Sequence, residues 1–366
     1  MRVLHVHKIT GVGGSERHLL TLLPALRERG LDARFLGLDV PGSDAGRFYR
    51  ELEEAGVPAQ HVHCGADVSP RMAARLVRAV QAARPDLLHT HLVHADVYGA
   101  LAAAVTRTPL VSTRHNDDRY LLGPFRYVDR TVARGVRRLV AISEAVRRFL
   151  VSAGHAAGKI ETIHYGLDRL PDAPSEVTPA DAGVPDGAPL VLAVGRLVPQ
   201  KDHATLLRAF AAARERQPDA VLAVLGIGPL EQETRAVAAG LGLEGAVLFP
   251  GRLELRDWLR RAQVFAHSSR WEGFGIVLLE AMLAGLPIAA TRASAVPEVV
   301  VHEETGLLVE PGDWQGLGDA LGALVADPVR AAALGDAGRQ RARREFSVAA
   351  MTDRTAALYG RVLDRQ

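Results

Sequence analysis

The sequence predicts an α/β protein with two doubly wound domains. Strand-like apolar runs alternate with helical ones along the 366 residues, which indicates βαβ units and mostly parallel sheets. A chain of this length is also long for a single core. Residues 170–188 begin with a Pro-rich polar stretch that is typical of a linker. We therefore expect domains at 1–169 and 189–345, joined by this linker, and a last helix in 346–366 that crosses back to the first domain.

The same alternation places the individual elements. Strands of the first domain are predicted at 3–7, 33–38, 61–63, 87–91, 110–113 and 139–142. Its helices are expected at about 15–29, 45–55, 70–83, 95–105 and 143–152, the last one capped by Ser143. The second domain is predicted to have strands at 190–194, 220–225, 246–249, 264–266, 287–290 and 306–309, with helices at 202–217 and 348–363. Ligands of doubly wound sheets bind at the carboxyl ends of the strands, so the chemistry is sought there.

Composition narrows the class of protein. A hydrophobic share of 48% with 23% charged residues is that of a soluble globular protein. Cys64 is the only cysteine, which excludes a disulfide framework and favours a small buried hydrophobe at that position. The N-terminus runs into a strand pattern without the features of a signal peptide, and no apolar run is long enough for a membrane span. We expect a cytoplasmic protein with no nucleic-acid partner.

Charge is divided unevenly between the halves. Residues 1–170 carry 24 Lys and Arg against 17 Asp and Glu, a net charge of +7, and the remainder has 20 against 25, a net charge of −5. Arg126, Arg130 and Arg134 recur every four residues, so on a helix they form one basic stripe. The stripe is either a solvated face or a surface that docks on an anionic membrane. The second interpretation would make the protein peripheral to the inner face of the membrane.

Glu280 is the most informative residue of the second domain. It lies among apolar residues of a predicted helix that has no polar stripe, and such a helix is buried. A buried carboxylate requires hydrogen-bond donors, and the two adjacent hydroxyls of a nucleotide ribose would supply them. The alternative is a structural carboxylate paired with a buried arginine or with backbone amides.

Two loops at predicted strand ends suit phosphate. The loop at 9–16 is rich in glycine and precedes a helix, although it lacks the dinucleotide fingerprint and is also compatible with plain tight packing. Arg196 and Lys201 stand beside a helix N-terminus, whose dipole repels cations unless an anion lies between them. A diphosphate would satisfy all three groups, and an exposed pair of cations is the alternative.

Histidines recur at alternate positions, as 5 and 7, 61 and 63, and 89 and 91 followed by 94. Each alternating pair shares one face of a predicted strand, where the rings would either bind a metal or donate hydrogen bonds to sugars and phosphates. We favour hydrogen bonding. The chain has no Asp-x-Asp to hold a divalent cation between phosphates, so we predict no metal site and no cofactor.

These motifs together resemble the retaining family-4 glycosyltransferases of the GT-B fold. The matching segments are 13–17, 194–201, 226–230, 272–282, 293–300 and 304–309. In the second domain Glu272 and Glu280 form the pair of glutamates that is the family signature. Ser268-Ser269 replaces the usual Pro-Ser, and we expect only a small backbone effect from this departure.

The resemblance implies a fold, an activity and a set of site residues. It implies two Rossmann-like domains that face each other across a cleft, with an acceptor site in the first domain and a donor site in the second. It implies a metal-independent hexosyltransferase that moves a sugar from a UDP or GDP sugar, or another nucleoside-diphosphate sugar, to an acceptor hydroxyl with retention. The acceptor is expected to be a small molecule or a lipid-linked one.

Individual roles follow from the same resemblance. Glu280 would hold the donor ribose, while Arg196 and Lys201 would neutralise the diphosphate. His115 would contact a sugar hydroxyl, and Glu272 would bind the transferred sugar together with the segment that follows it. The remaining residues implied in donor binding are Gly13, Gly14, Arg252, Leu253, Gly273, Phe274, Gly275 and Ile276. The alternatives are a sugar-nucleotide 2-epimerase of the same architecture and a catalytically silent nucleotide-sugar binding module.

Overall fold

The computed structural model describes residues 1–9, 11, 13–39, 45–63, 69–170 and 173–364, without the side chains of residues 119 and 120. The chain divides into two compact units. Unit 1 consists of Met1–Gly166 with Ser347–Gln366, and unit 2 of Leu167–Phe346. Cys64, for which we predict a buried position, lies outside the described residues, as do residues 171–172 of the predicted linker.

Unit 1 is built on a parallel sheet with strand order β3-β2-β1-β4-β5-β6-β7. The strands are β1 (Arg2–Ile9), β2 (Asp32–Asp39), β3 (Ala59–His63), β4 (Leu87–His91), β5 (Leu110–Arg114), β6 (Arg138–Ala141) and β7 (Ile160–Thr162). The helices between them are α1 (Gly14–Glu28), α2 (Gly46–Glu54), α3 (Pro70–Ala83), α4 (Leu92–Thr106), α5 (Arg126–Arg134) and α6 (Glu144–Ser152). Every residue of β4 and β5 is buried, as expected of a parallel sheet covered on both faces.

Unit 2 repeats this architecture with strand order β10-β9-β8-β11-β12-β13. Its strands are β8 (Leu190–Val194), β9 (Val221–Leu225), β10 (Val247–Gly251), β11 (Val264–His267), β12 (Ile288–Thr291) and β13 (Leu307–Val309). Its helices are α7 (His203–Arg214), α8 (Glu231–Gly240), α9 (Arg256–Arg261), α10 (Ile276–Ala284), α11 (Val296–Val299), α12 (Trp314–Ala326) and α13 (Pro328–Glu345). Both sheets therefore have the doubly wound strand order that the sequence predicts.

The last helix, α14 (Val348–Leu363), returns to unit 1. Arg29 at the end of α1 donates from its Nε to Asp353 Oδ1 at 2.5 Å, and Arg361 Nη2 lies 2.8 Å from Glu161 Oε1. The predicted crossing back of this helix is confirmed. The bounds of α3, β4, β8 and α14 equal the predicted ones, whereas the short strand β7 is not predicted from the sequence.

The described part of the predicted linker lies within unit 2. Ser175 Oγ donates to Glu254 O at 2.6 Å, and Trp258 Nε1 donates to Val177 O at 3.0 Å. This part of the linker is therefore hydrogen-bonded to α9 and to the loop before it. Among the described residues, every helix is too short or too polar to span a bilayer.

Candidate active site

The loops after β8, β9 and β10 lie side by side at the carboxyl edge of the sheet in unit 2. Gly226 donates its amide to Gly251 O at 2.7 Å. Its φ is +149°, and a Cβ built there would come within 2.0 Å of Gly195 O. Only glycine allows the loops to approach this closely. The packing places two exposed arginines at this edge, Arg196 after β8 and Arg252 after β10.

A partly buried ion pair forms the centre of the site. Lys201 Nζ lies 2.5 Å from Glu272 Oε2. The same oxygen accepts from Ser269 Oγ at 3.2 Å and lies 3.2 Å from His267 Nε2. Three groups therefore converge on one carboxylate oxygen, one from the turn after β8 and two from the end of β11.

The surroundings of Glu272 set its charge. Burial by itself would raise the pKa of the Glu272 carboxyl, but Lys201 and His267 outweigh this effect and hold the pKa well below its ordinary value. Burial lowers the pKa of the His267 ring, and burial beside Lys201 lowers the pKa of His203 to about 4. At neutral pH the site therefore combines an ionised carboxylate with an ammonium group and neutral imidazoles.

The backbone around Lys201 is fixed by its neighbours. Lys201 ends a short 3-10 turn, Pro199–Lys201, and the next residue, Asp202, has a positive φ of 46°. Arg270 Nε donates to Asp202 Oδ2 at 2.9 Å, and Ser268 Oγ donates to Lys201 O at 2.7 Å. Ser268 occupies the position where proline is usual. The expectation of a small backbone effect there missed this side-chain hydrogen bond.

Helix α10 carries the second glutamate. It begins after Gly275, whose φ is +86°, and Glu280 is only 1% exposed, as predicted from its apolar neighbours. The preceding residues are also buried, and the Phe274 ring contacts Phe346 with a centroid distance of 5.7 Å. The first N–H groups of a helix have no partner within the helix. The segment formed by Gly273, Phe274, Gly275 and Ile276 thus brings backbone donors to the start of α10.

The remaining predicted residues of unit 2 occupy the loop between β10 and α9. Arg252 is exposed and Leu253 is half-buried. Contacts of Ser175 with Glu254 hold the end of this loop. The structure thus brings Lys201 and Glu272 into contact, and the strand order places Arg196 and Arg252 at the same sheet edge.

Gly13 and Gly14 belong to unit 1, at the start of α1. The Gly13 amide donates to Glu16 Oε2 at 2.9 Å, and Ser15 Oγ donates to the same oxygen at 3.0 Å. His7 Nε2 lies 3.2 Å from Glu16 Oε1. Burial would raise the pKa of Glu16, but these contacts with His7 and the backbone lower it. The Gly13 amide therefore meets a phosphate only if Glu16 releases it.

His115 follows β5 in unit 1, and its two ring nitrogens are both engaged. Its Nε2 lies 3.0 Å from His91 Nδ1, and its Nδ1 lies 2.5 Å from the Tyr165 hydroxyl. The parallel register sets His5 beside His89 and His7 beside His91, and all four rings are 0–1% exposed. The expectation that these four rings donate to a ligand is wrong, because they are buried and their nitrogens bond to groups of the protein.

One further histidine expectation needs correction, since His94 lies on α4 and does not continue the strand pattern of His89 and His91. Within the described ranges, one group has the spacing of metal ligands, namely His5, His89 and His91, whose nitrogens lie within 4.8 Å of one another. These are the described residues that could hold a metal ion.

Sequence reasoning missed three polar residues around Glu272. His267 is the last residue of β11, and Ser268 and Ser269 follow it at the edge where ligands of such sheets bind. A polar run immediately after the apolar residues of a strand is the signal that would have identified them. His267 and Ser269 contact Glu272 close by in the sequence, whereas Ser268 contacts the distant Lys201, which the sequence does not place beside it.

Comparison with known proteins agrees with this geometry. The family described as Glycosyltransferase Family 4 matches residues 12–169, and the family described as Glycosyl transferases group 1 matches residues 175–341. A crystal structure of HepE from Anabaena with UDP and glucose superposes with a TM-score of 0.84 at 25% identity, over 99% of this chain and 100% of that one.

Two curated relatives bear different names. Alpha-maltose-1-phosphate synthase of Mycobacterium tuberculosis is 29% identical over 382 aligned positions, which cover 96% of each chain. A GDP-mannose-dependent alpha-(1-6)-phosphatidylinositol monomannoside mannosyltransferase of Mycolicibacterium smegmatis is 35% identical over 211 residues, 54% of this chain and 55% of that protein. The chain belongs to glycosyltransferase family 4, and the predicted family, GT-B fold and glycosyltransferase class are confirmed.

Proposed function

We propose that this glycosyltransferase is a metal-independent, retaining hexosyltransferase that uses a nucleoside-diphosphate sugar. The observation that carries the proposal is the partly buried contact of Lys201 with Glu272, together with the fully buried Glu280 of the helix that follows Glu272. An ammonium group next to an ionised carboxylate can bind both the diphosphate and the sugar of a nucleoside-diphosphate sugar. The cation faces the leaving phosphate and the carboxylate accepts hydrogen bonds from sugar hydroxyls.

The proposed roles follow the charges. The Lys201 ammonium group, which contacts Glu272, also neutralises the diphosphate. Arg196, exposed at the same sheet edge, neutralises it together with Lys201. Glu272 and the amides of Phe274, Gly275 and Ile276 bind the transferred sugar. Glu280 accepts from the ribose hydroxyls, and the backbone around Arg252 and Leu253 lies at the nucleobase.

The reaction needs no protein nucleophile in this proposal. The bond between the anomeric carbon and the diphosphate oxygen breaks, and the acceptor oxygen bonds to the anomeric carbon on the same face. The acceptor proton passes to the departing phosphate oxygen. Lys201 and Arg196 stabilise the negative charge that develops on the diphosphate, which a divalent cation would otherwise do.

The names of similar proteins support a nucleoside-diphosphate sugar as the donor, but they differ in the sugar. HepE was crystallised with UDP and glucose, while the Mycolicibacterium smegmatis relative is named for GDP-mannose and a phosphatidylinositol acceptor. We propose a UDP or GDP hexose as donor. Unit 2 is proposed to bind this donor, and unit 1 to bind a small-molecule or lipid-linked acceptor.

A panel of nucleoside-diphosphate sugars tests the proposal. The chain is incubated with UDP-, GDP- and dTDP-hexoses and candidate acceptors, and transfer, hydrolysis and epimerisation are followed by mass spectrometry and NMR. We expect transfer with an α-linked product from an α-linked donor, unchanged by EDTA. Glu280→Gln is the matched variant, since it keeps the shape of the side chain and removes its charge.

Each alternative has its own outcome. Conversion of the donor sugar to its 2-epimer without transfer would identify an epimerase. Binding without turnover of any donor would identify a silent module. Loss of activity on chelation, restored by Mg²⁺ or Mn²⁺, would contradict the metal-independent mechanism, and a β-linked product would contradict retention.

The basic stripe is proposed to dock on an anionic membrane. Arg126, Arg130 and Arg134 are exposed on α5. Exposed apolar side chains accompany them: Leu122 at 46%, Phe125 at 38%, Tyr127 at 60% and Val128 at 48%. Basic residues with apolar neighbours suit a lipid surface, where each basic residue contributes about 1 kcal/mol. This contact would bring unit 1 to a lipid-linked acceptor.

Liposome co-sedimentation tests this contact. Arg126→Glu with Arg130→Glu should abolish binding to anionic vesicles at low salt. The matched control changes Arg343 and Arg344 to Glu, two exposed arginines on α13 of unit 2, and should bind as the wild type does. Equal, negligible binding by all three proteins would favour a soluble acceptor and a solvated arginine face.

A further inference from the structure

A continuous chain of hydrogen bonds runs through the interior of unit 1. Thr113 Oγ1 lies 2.7 Å from His89 Nε2, and His89 Nδ1 lies 2.6 Å from the Tyr359 hydroxyl. That hydroxyl lies 3.4 Å from His5 Nε2. Tyr359 comes from α14, and the other residues come from β1, β4 and β5. The C-terminal helix therefore supplies the hydroxyl that links His89 to His5.

From His5 the chain continues to the carboxyl edge of the sheet. His5 Nδ1 lies 3.0 Å from His91 Nε2, and His91 Nδ1 lies 3.0 Å from His115 Nε2. His115 Nδ1 then lies 2.5 Å from the Tyr165 hydroxyl. We call this set the histidine relay, and its members in order are Thr113, His89, Tyr359, His5, His91, His115 and Tyr165.

The rings of the relay are neutral and their bonds are coupled. Burial lowers the pKa of His5 to about 3 and lowers the pKa values of His89, His91 and His115 well below the ordinary value. A neutral imidazole has one N–H donor and one acceptor nitrogen. Each ring therefore transmits the direction of one bond to the next, and the Tyr359 hydroxyl does so as well because its buried hydrogen needs an acceptor. The relay consequently has two polarities in which every donor is satisfied between Thr113 and Tyr165.

Thr113 selects between these polarities. Its hydroxyl is 2% exposed, and among the described residues His89 Nε2 is its hydrogen-bond partner. If His89 Nε2 donated to Thr113, the Thr113 hydroxyl hydrogen would be buried without an acceptor, which is unfavourable. Thr113 therefore donates. Each ring in turn donates from Nδ1, and His115 donates to the Tyr165 oxygen.

We propose that the histidine relay is a positioning device that fixes the tautomer and orientation of His115 from Tyr359, across the interior of unit 1. The proposal rests on the proposed function and on the expected contact of His115 with a sugar hydroxyl, in which the His115 Nδ1–H turns from the Tyr165 oxygen to the sugar oxygen. Tyr359, His5 and His91 are positioning residues, since they act on a substrate only through His115. A ring held as one neutral tautomer presents the same donors and acceptors to every substrate molecule.

The geometry favours hydrogen bonds over a metal at these rings. The His5 and His91 ring planes differ by 13°, and their facing nitrogens are 3.0 Å apart, so the two nitrogens point at each other. Tetrahedral zinc with bonds of about 2.0–2.1 Å needs nitrogens roughly 3.3 Å apart that converge on a third point. His89 also uses both of its nitrogens, on Thr113 and Tyr359.

NMR of the ligand-free protein tests the relay without any assay of transfer. Protein labelled with ¹⁵N-histidine reports which ring nitrogen carries the proton. In the wild type we expect the Nδ1–H form at His5, His89, His91 and His115. Tyr359→Phe keeps the aromatic packing and removes the hydroxyl, so the His115 signals should shift towards the other tautomer.

Tyr98→Phe is the matched control. Tyr98 is buried in the same unit and its hydroxyl accepts from the Ser69 amide at 3.0 Å, outside the relay. Its loss should leave the ring signals of His115 unchanged. Unchanged His115 signals in Tyr359→Phe, an Nε2–H form in the wild type, or stoichiometric zinc in the purified protein would each overturn the proposal.

Kinetics then separate positioning from a structural role. With a donor found in the panel above, Tyr359→Phe should lower kcat about three- to tenfold, the effect of one hydrogen bond, with KM for the donor unchanged. Tyr98→Phe should keep the wild-type kcat. Absence of transfer by the wild type would refute the proposed function and leave the NMR result intact, whereas equal kcat values for both variants would refute the relay alone.

Discussion

Acid should unfold unit 1 before unit 2, because unit 1 buries more neutral histidines than unit 2 does. Burial lowers the pKa of His5 and of His18 to about 3. In the unfolded chain the same rings bind protons below an ordinary pKa of about 6.5. The folded-state pKa is the lower one, so their contribution to stability is fully present above pH 6.5. It is lost as the pH falls from 6.5 towards 3.

The magnitude follows from the number of protons. Between about pH 6.5 and 3 the unfolded chain binds two more protons at these rings, which lowers the free energy of unfolding by about 3 kcal/mol per pH unit. The pKa values of His89, His91 and His115 are lowered by burial in the same direction, which steepens the slope. A domain stability of about 5–15 kcal/mol is then exhausted within a few pH units below 6.5.

Tryptophan makes the two units distinguishable. The sequence has three tryptophans, Trp258, Trp271 and Trp314, and all lie in unit 2. We expect hydrogen exchange in peptides of unit 1 to rise steeply between pH 6.5 and 4.5, while the tryptophan fluorescence of unit 2 stays native. Urea titrations at each pH, followed by circular dichroism, give the corresponding free energies.

His18→Phe provides the internal control for the slope. The His18 ring stacks on Tyr165 with a centroid distance of 4.4 Å, and its buried Nδ1 makes no hydrogen bond among the described residues. Phenylalanine keeps the stacking and does not titrate, so the slope should fall by about 1.4 kcal/mol per pH unit. His61→Asn, at an exposed histidine of β3, should keep the wild-type slope. Equal slopes for all three proteins would refute the reasoning.

Three further predictions concern unit 2. Gly226→Ala should destabilise unit 2 by about 2–4 kcal/mol in urea titrations followed by tryptophan fluorescence, because the new Cβ meets a backbone oxygen 2.0 Å away. Gly245→Ala, also at positive φ but with open space around it, should destabilise unit 2 by only about 1–2 kcal/mol. Equal losses of stability would contradict the close approach of the loops. Lys201→Ala should raise the pKa of Glu272, since His267 is then left to oppose the effect of burial without Lys201. The same change should lower kcat at least 100-fold by removing charge from the diphosphate, and an unshifted acid limb of the pH–rate profile would contradict the ion pair. Glu280→Ala should weaken nucleoside diphosphate binding by about 2–4 kcal/mol in calorimetry through loss of an ionised acceptor, and unchanged affinity would remove Glu280 from the ribose.

The sequence by itself determined the architecture and the buried glutamate. Alternating periodicity is a local property, and it predicted both doubly wound sheets and the bounds of α3, β4, β8 and α14. The burial of Glu280 follows from its apolar neighbours on one helix, and the Gly-rich and basic loops follow strand ends that the pattern itself identifies. The family motifs are likewise continuous stretches of chain.

Only the tertiary structure decided which of these groups meet. Lys201 and Glu272 are 71 residues apart, and His89 and Tyr359 are 270 residues apart. Strand order and register set such contacts, and they depend on packing across the whole sheet rather than on local pattern. For the same reason His5, His7, His89 and His91, expected to face a ligand, lie inside unit 1, whereas the third pair, His61 and His63, is exposed on β3. The four rings inside unit 1 are fully buried because helices cover the sheet and α14 supplies a hydroxyl that no local pattern predicts.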